Sequence, residues 1–392
     1  MASPHHMEQR DAPTIPDVSR CRETVSPHDD DVMSHTRRDA LHAPLRVGSD
    51  CAGMCTELHA LEQLRVPYTH AFCSEVWEPA IRYIRSNHSP KVLYHDMRER
   101  ELEATPAVDL YVCSSPCQPV SVLNHKKRGD DPRREPLQVA LAYIREKRPK
   151  YWLFENVLGL TRVDKGRVWR ALCTELDALS AELGYRWGYQ MLDPCKHADS
   201  PQSRPRVYIC GRLGTARIAW PHEVPLTRRC VDLLDPDVAR EPASDGLDLA
   251  PCYRRHLHTW GIAPGVDEGI VEFCASSRAH SPYTSKKRTA EESTAAEGST
   301  TEGSESKPPL TPTQRAHVLK TDIAPCMIRH DPGLYAVHLD RMLTAAECLA
   351  LQGFAPETVE TPQVTPLQMR MLCGNAMHCG VLARVLECLL AE

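Results

Sequence analysis

The chain has 392 residues, a formal net charge of −5 and 17 cysteines. That length accommodates one large α/β domain with an appendage, or two domains of ordinary size, and the near balance of charge names no partner. No run approaches the roughly 20 apolar residues needed to cross a bilayer, and a long chain without an apolar signal stretch at its start points away from a disulfide framework, toward a reducing, intracellular compartment.

Residues 1–43 are rich in His, Asp, Pro and Ser with little apolar periodicity, the composition of a disordered tail. Next, "LRVGSDCAG" reads as a short strand running into a turn, and "CTELHALEQL" as a helix with Leu58, Leu61 and Leu64 at helical spacing. "YTHAFCSE" is a strand and "PAIRYIRSNH" a helix, which together make a βαβ unit. "VDLYVCSS", "PLQVALAYIREKR", "PKYWLFENV" and "VWRALCTELDALSAELG" continue the alternation of strand and helix. "YRWGYQMLD" and "RPRVYICGRL" lie close enough to pair as antiparallel strands. The pattern predicts a mostly parallel sheet covered by helices. Residues 281–312, with "TSKKRTAEESTAAEGSTTEGSESKPPLTP", read as a flexible insertion. "RMLTAAECLALQGF" opens with a capping box, Thr344 with Glu347, and Leu343 is spaced to staple onto Cys348. The last helix, "GVLARVLECLLAE", is expected to return to the sheet.

In open α/β sheets ligands bind outside the carboxyl ends of the strands. Asp50 to Gly53, Glu75, Asp96, the cysteine Cys117 and Glu155 all fall at such ends. Cys117 follows a buried strand, Pro116 fixes the backbone before it, and the polar "SVLNHKKRGDD" behind it suits a lid. Cys113, four residues earlier, reads as core. Glu155 follows the apolar "YWLF", where an acid is costly unless paired or working, and partial burial would raise its pKa; it could equally cap the next helix, with Asn156 stabilising the turn. Glu75 after the second strand could accept from ribose hydroxyls and Asp96 after the third from an adenine amine, and either could be a helix cap. Zinc competes for the pairs Cys51/Cys55 and Cys113/Cys117, but neither forms a compact four-ligand knuckle, so no metal is expected. Basic clusters at Lys126-Lys127-Arg128, Arg133-Arg134, Arg228-Arg229 and Arg254-Arg255 read singly as solvated surface and jointly as room for a nucleic-acid face.

In order, "DCAGMCTELHAL", "SSPCQPVS", "FENV", "QSRPRVYICG", "RMLTAAECLALQGF" and "LCGNAMHCGVLARV" resemble the motif series of the cytosine carbon-5 DNA methyltransferases, from about Arg46 to the end of the chain. The resemblance implies a Rossmann-like, S-adenosylmethionine-dependent methyltransferase fold with a small target-recognition region. The catalytic domain would span 44–213 and resume at 340–392, with recognition in 214–339. Cys117 matches the thiol that adds to carbon 6 of cytosine, Glu155 the acid at ring nitrogen 3, and Arg206 the arginine that holds the base oxygen, with Arg204 and Asn156 supporting. Asp50, Cys51, Ala52, Gly53, Glu75, Val76, Asp96, Met97, Pro116, Asn375 and Ala376 match the cofactor site. Gln118, Ser121, Lys126, Lys127 and Arg128 would meet DNA with the target base flipped out, and Arg254 and Arg255 would contact either bases or phosphates.

Departures from the family pattern are Cys51 in place of an aromatic residue, Cys55 and Thr56 in place of two glycines, Ala376 in place of serine, and Asn124 in place of a lid glycine. The expected activity is that of a DNA (cytosine-5-)-methyltransferase acting as a monomer on duplex DNA, without a membrane, in the nucleus of a eukaryote or the cytoplasm of a bacterium. A tRNA methyltransferase of the same fold and a catalytically weak DNA-binding regulator are the alternatives.

Overall fold

The computed structural model describes residues 43–115, 135–238, 257–258, 260–272, 311–328, 334–361 and 363–391. The expected tail, most of the insertion, and Pro116, Cys117, Gln118, Ser121, Asn124, Lys126, Lys127, Arg128, Arg254 and Arg255 lie outside the described residues.

Seven strands form the main sheet: β1 (Leu45–Asp50), β2 (Tyr68–Ser74), β3 (Val92–Tyr94), β4 (Leu110–Cys113), β5 (Tyr151–Val157), β6 (Tyr185–Leu192) and β7 (Arg206–Leu213). Their spatial order is β3-β2-β1-β4-β5-β7-β6. β1 through β5 run parallel, whereas β7 is antiparallel to both β5 and β6. The expected Rossmann-like sheet and the β6/β7 pair are both present. The reversal of β7 matters for chemistry. Arg206, at the start of β7, pairs with Val157 at the end of β5, so a strand beginning joins the row of strand ends where ligands bind.

Alternation along the strands divides the core into two faces. Leu110 and Val112, Tyr151 and Leu153, and Tyr208 and Cys210 share one face with helices α1 (Thr56–Gln63), α2 (Glu78–Asn87) and the final helix. Tyr111 and Cys113, Trp152 and Phe154, and Val207 and Ile209 share the other with α3 (Glu135–Lys147) and α5 (Arg167–Leu183), the short α4 (Gly159–Arg162) preceding α5. A strand buried on both faces reads as a continuous apolar run, which is the "LYVC" and "YWLF" pattern. Cys113 is buried, as core. Gly48 is needed where it stands, because a Cβ there would meet the Phe72 ring at 2.3 Å.

Helix α6 (Pro194–His197) lies between β6 and β7, and beyond β7 come α7 (Pro312–Val318), α8 (Ala345–Leu351), α9 (Pro366–Asn375) and α10 (Cys379–Leu390). A second antiparallel sheet, ordered β10-β9-β8, joins β8 (Ile270–Glu272), β9 (Leu334–Ala336) and β10 (Arg341–Met342). It has its own small core of Leu257, Trp260, Ile262, Val271, Val318, Tyr335 and Val337, and β10 belongs to it although it falls just past residue 340. The capping box on α8 forms: the Thr344 hydroxyl accepts from the Glu347 amide at 3.2 Å, and Glu347 accepts from the Thr344 amide at 2.8 Å. Glu347 also makes a buried ion pair with Arg341 at 2.8 Å. Among the described residues no helix is long and apolar enough to cross a membrane.

Candidate active site

A cavity of about 520 Å³ opens along the row of strand ends, within the ~300–1,000 Å³ of cofactor and small-molecule sites. Its wall includes Cys51 and Gly53 after β1, Glu75, Val76 and Trp77 after β2, and His95, Asp96, Met97 and Arg98 after β3. Ser114 and Ser115 after β4, Glu155 and Val157 of β5, Arg204 and Arg206 before and at the start of β7, and Asn375 at the end of α9 complete it. Five separate motifs of the sequence thus meet in one cleft.

One half is held by bonds within and between neighbouring loops. Gly53 sits at φ +56°, a left-handed conformation natural to glycine, and its amide donates to Glu75 Oε2 at 2.8 Å. Glu75 Oε1 accepts from the amides of Val76 and Trp77 at 2.9 and 2.8 Å. Asp96 pairs with Arg98 at 2.5 Å, and that bond holds its carboxyl below the ordinary range. Val76 is exposed and Met97 buried on the same wall. Two acids, an apolar side chain and a backbone turn without a Cβ fit an amino-acid nucleoside such as S-adenosylmethionine.

Asp50 takes another part. Its carboxylate is absent from the cavity wall, because it accepts from Arg100 Nη2 at 2.6 Å, from Ser74 Oγ at 2.6 Å and from the Tyr111 hydroxyl at 2.5 Å. Both members of the Arg100 pair are buried. Asp50 therefore fixes the ends of β1, β2 and β4 to one another from beneath. Ala52 and Ala376 are likewise not among the lining residues; Ala52 bonds by its amide to the Ser74 carbonyl at 3.0 Å.

The other half is held by long-range bonds. Glu155 is buried and pairs with Arg206 Nε at 3.3 Å. Burial pushes its carboxyl above the ordinary value, and Arg206 and Arg204 pull it back only in part. Arg204 is buried and donates to the carbonyls of Met327, Gly374 and Ala376 at 2.8, 3.0 and 2.6 Å. It thereby ties the start of β7 to the segment around Met327 and to the final motif, and the backbone carbonyl of Ala376 is what that motif contributes here. Asn156 donates to the Ser115 hydroxyl at 3.1 Å and its Oδ1 accepts from the Val157 amide at 3.0 Å; it holds the residue two before Cys117. An acid tuned toward protonation beside two fixed guanidiniums can donate to a ring nitrogen while an arginine holds the neighbouring carbonyl oxygen.

Residues 46–391 match the family described as C-5 cytosine-specific DNA methylase. The chain belongs to that family. Among curated relatives, the orphan methyltransferase M.SPRI of Bacillus phage SPR is 33% identical over 169 residues, 43% of this chain and 37% of that protein. The type II methyltransferase M.Bsp6I of Bacillus sp. (strain RFL6) is 26% identical over 312 residues, 79% of this chain and 86% of its own. The chain thus spans little more than a third of the length of the first curated relatives it matches. Among solved structures, S. pombe Dnmt2 methyltransferase superposes with a TM-score of 0.56 at 19% identity, covering 88% of this chain and 98% of that one. Entamoeba histolytica methyltransferase EhMeth gives 0.56 at 18%, covering 89% and 100%. At such identities these likenesses are likenesses of fold.

Sequence reasoning did not single out Trp77, His95, Arg98, Arg100 or Cys326. Arg98 and Arg100 stand in "DMRERE", right after Asp96, and their charge next to an expected site acid was the available signal. Cys326 had none. Its Sγ lies 3.2 Å from Arg204 Nη1 and 3.5 Å from Arg206 Nη2; burial opposes its ionisation, yet the two arginines leave its thiol below the ordinary value.

Proposed function

We propose that the protein methylates carbon 5 of a flipped-out cytosine in duplex DNA, with S-adenosylmethionine as the methyl donor and Cys117 as the covalent nucleophile. The observation that carries this reading is the Glu155–Arg206 pair on the wall of a cavity whose opposite half presents Glu75 and Asp96. Bound there, S-adenosylmethionine supplies an electrophilic methyl group. Glu75 and Gly53 would hold its ribose and methionine parts, Asp96 its adenine amine, and Asn375, Val76 and Met97 the remaining edges.

The chain's own residues do the activation. Cytosine is too electron-poor at carbon 5 to accept a methyl group, so the Cys117 thiolate adds to carbon 6 and carbon 5 becomes nucleophilic. Negative charge then builds on the ring. Glu155, whose carboxyl burial shifts toward protonation, donates to ring nitrogen 3, and Arg206 bonds the base oxygen. After methylation a base removes the carbon-5 proton, the bond to sulfur breaks, and the thiolate returns. Lys126, Lys127, Arg128, Arg254 and Arg255 are assigned to the DNA backbone and bases, and the unstacking of the target costs roughly a few kcal/mol.

The deciding experiment offers labelled S-adenosylmethionine with duplex DNA, or with tRNA, to the wild type and to Cys117→Ser. A duplex carrying 5-fluorocytosine provides the trap. Label in duplex DNA and a trapped adduct that depends on Cys117 are expected, with DNA binding retained in the variant. Label in tRNA alone, or no Cys117-dependent adduct, would overturn the reading.

A further inference from the structure

On the core face behind the cofactor turn, three side chains from two elements meet. The Sγ atoms of Cys55 and Cys73 and a ring nitrogen of His70 all lie within 4.8 Å of one another, and all three residues are buried. Among the described residues no other trio of His, Cys, Asp and Glu is so arranged.

The backbone has been bent to bring them together. Residues three apart on a regular strand point to opposite faces, yet His70 and Cys73 converge. The reason is an extra residue in β2: Val47 pairs with His70 and its neighbour Gly48 with Phe72, so Ala71 is the bulged residue. Ala71 and Phe72 both join the opposite core, and His70 and Cys73 are left on the same side. Cys55 carries a cost as well. It stands at φ +49° in the left-handed region, where a residue with a Cβ loses roughly 1–2 kcal/mol that glycine would not, and its side chain caps nothing on α1. Finally, neither ring nitrogen of His70 makes a hydrogen bond although the residue is 94% buried, the backbone of Phe72 being a polar neighbour. A buried, unpartnered imidazole beside two thiols is costly unless something sits between them.

We propose that Cys55, Cys73 and His70 hold a structural zinc ion that fastens the turn after β1 to the end of β2, with His88 drawn in as fourth ligand. Three points no more than 4.8 Å apart share a centre within about 2.8 Å of each, and a small contraction reaches the ~2.0–2.3 Å of Zn–N and Zn–S bonds. The donor set is too soft for calcium or magnesium, which take oxygen ligands. His88 is buried beside the trio, its ring centroid 6.1 Å from that of His70; it stands outside the 4.8 Å grouping and would move inward to complete the set. Its Nε2 lies 3.2 Å from the Met54 carbonyl; donation there leaves Nδ1 unprotonated, the usual arrangement for a ligating histidine. Two thiolates and two neutral imidazoles cancel the charge of Zn²⁺, which suits a dry core, and the two thiol protons pass to solvent on binding. Cys55 is two residues from Gly53 and Cys73 two from Glu75, so the ion would brace the Gly53–Glu75 bond across the cofactor site.

The test uses the full chain expressed with added zinc and dialysed against a weak chelator. Metal content, thermal unfolding with and without Zn²⁺, and the spectrum after Co²⁺ substitution are compared for wild type, Cys55→Gly and Cys73→Ala. Wild type is expected to retain one zinc per chain, to unfold several degrees higher with zinc, and to show a sulfur-to-cobalt charge-transfer band. Both variants should lose all three signals. Cys55→Gly relieves the left-handed strain and so folds without metal, which separates loss of a ligand from loss of the fold. A metal-free wild type, or equal zinc in wild type and Cys55→Gly, overturns the proposal. So does a metal-free chain with two fewer free thiols, which would mean a Cys55–Cys73 disulfide.

Discussion

The two halves of the cleft are built by different means. On the side proposed for the cofactor, Glu75 accepts from the amides of the next two residues and from that of Gly53 after the adjacent strand, and Asp96 pairs with Arg98, so the acids are held by their own and neighbouring loops. On the base side, Arg204 bonds carbonyls more than 120 positions away, and Glu155 pairs with Arg206 across two strands. The acids differ accordingly: Asp96 is held toward ionisation by its arginine, and Glu155 is pushed toward protonation by burial. One cavity therefore holds two carboxyls shifted in opposite directions. The lesson is that local sequence can lower a carboxyl's pKa, whereas raising one by burial needs the whole fold around it.

Removing the donor should break the contrast most severely. Glu155→Gln keeps the shape and cannot transfer a proton, so single-turnover methylation should fall by ~10²–10⁴-fold with the unfolding temperature nearly unchanged. A fall below tenfold would mean that Arg206 alone carries the transition-state charge. The next effect concerns the frame beneath both halves. Asp50→Asn leaves Arg100 buried without its counter-charge, and stability should drop by about 3–5 kcal/mol in urea denaturation. If stability holds while cofactor affinity collapses, Asp50 acts on the ligand and not on the frame.

How much of this was legible follows the same division. The central strands, the β6/β7 pair and the Thr344–Glu347 capping box were readable because they rest on short apolar runs bounded by turn residues and on a spacing of three. Glu75, Asp96 and Glu155 were readable as acids at strand ends. The service of Asp50 to Arg100 was not, because an aspartate before a turn carries no mark of a partner fifty positions on. Neither was the approach of Cys326 to two arginines, nor the meeting of Cys55 with His70 and Cys73. In the sequence Cys55 seemed to belong with Cys51, four residues away; a bulge at Ala71, invisible to periodicity, gave it other neighbours.

The base side's dependence on distant contacts can be sharpened by pH. His378 caps α10 by accepting from the Val381 amide at 3.2 Å and meets Ser200 Oγ at 2.9 Å. Burial, with Arg204 adding to it, pushes its pKa down to about 3. The unfolded chain binds this proton from about pH 6.5 downward and the folded chain does not. Its contribution is therefore complete above pH 6.5 and is lost as pH falls toward 3, by about 2 kcal/mol at pH 5. His378→Asn keeps a capping side chain and has no proton to gain. Between pH 7 and 5 the wild type should lose about 2 kcal/mol more than the variant; equal losses would show that His378 is protonated in the folded protein.

The smallest effect tests whether the cofactor side is as local as it looks. Asp96 lines the cavity and its partner Arg98 is half-exposed, so the ion pair itself contributes little to stability. If Asp96 serves the adenine amine, Asp96→Asn should raise KM for S-adenosylmethionine by about tenfold, equivalent to ~1.4 kcal/mol, and leave kcat and the unfolding temperature in place. The Asp96 carboxyl is ionised throughout the neutral range because Arg98 lowers its pKa, so the rise in KM should not vary between pH 6 and 8. An altered unfolding temperature with KM untouched would reverse the assignment: Asp96 would then be a loop pin like Asp50, and the acceptor end of the cleft would rest on Glu75 alone.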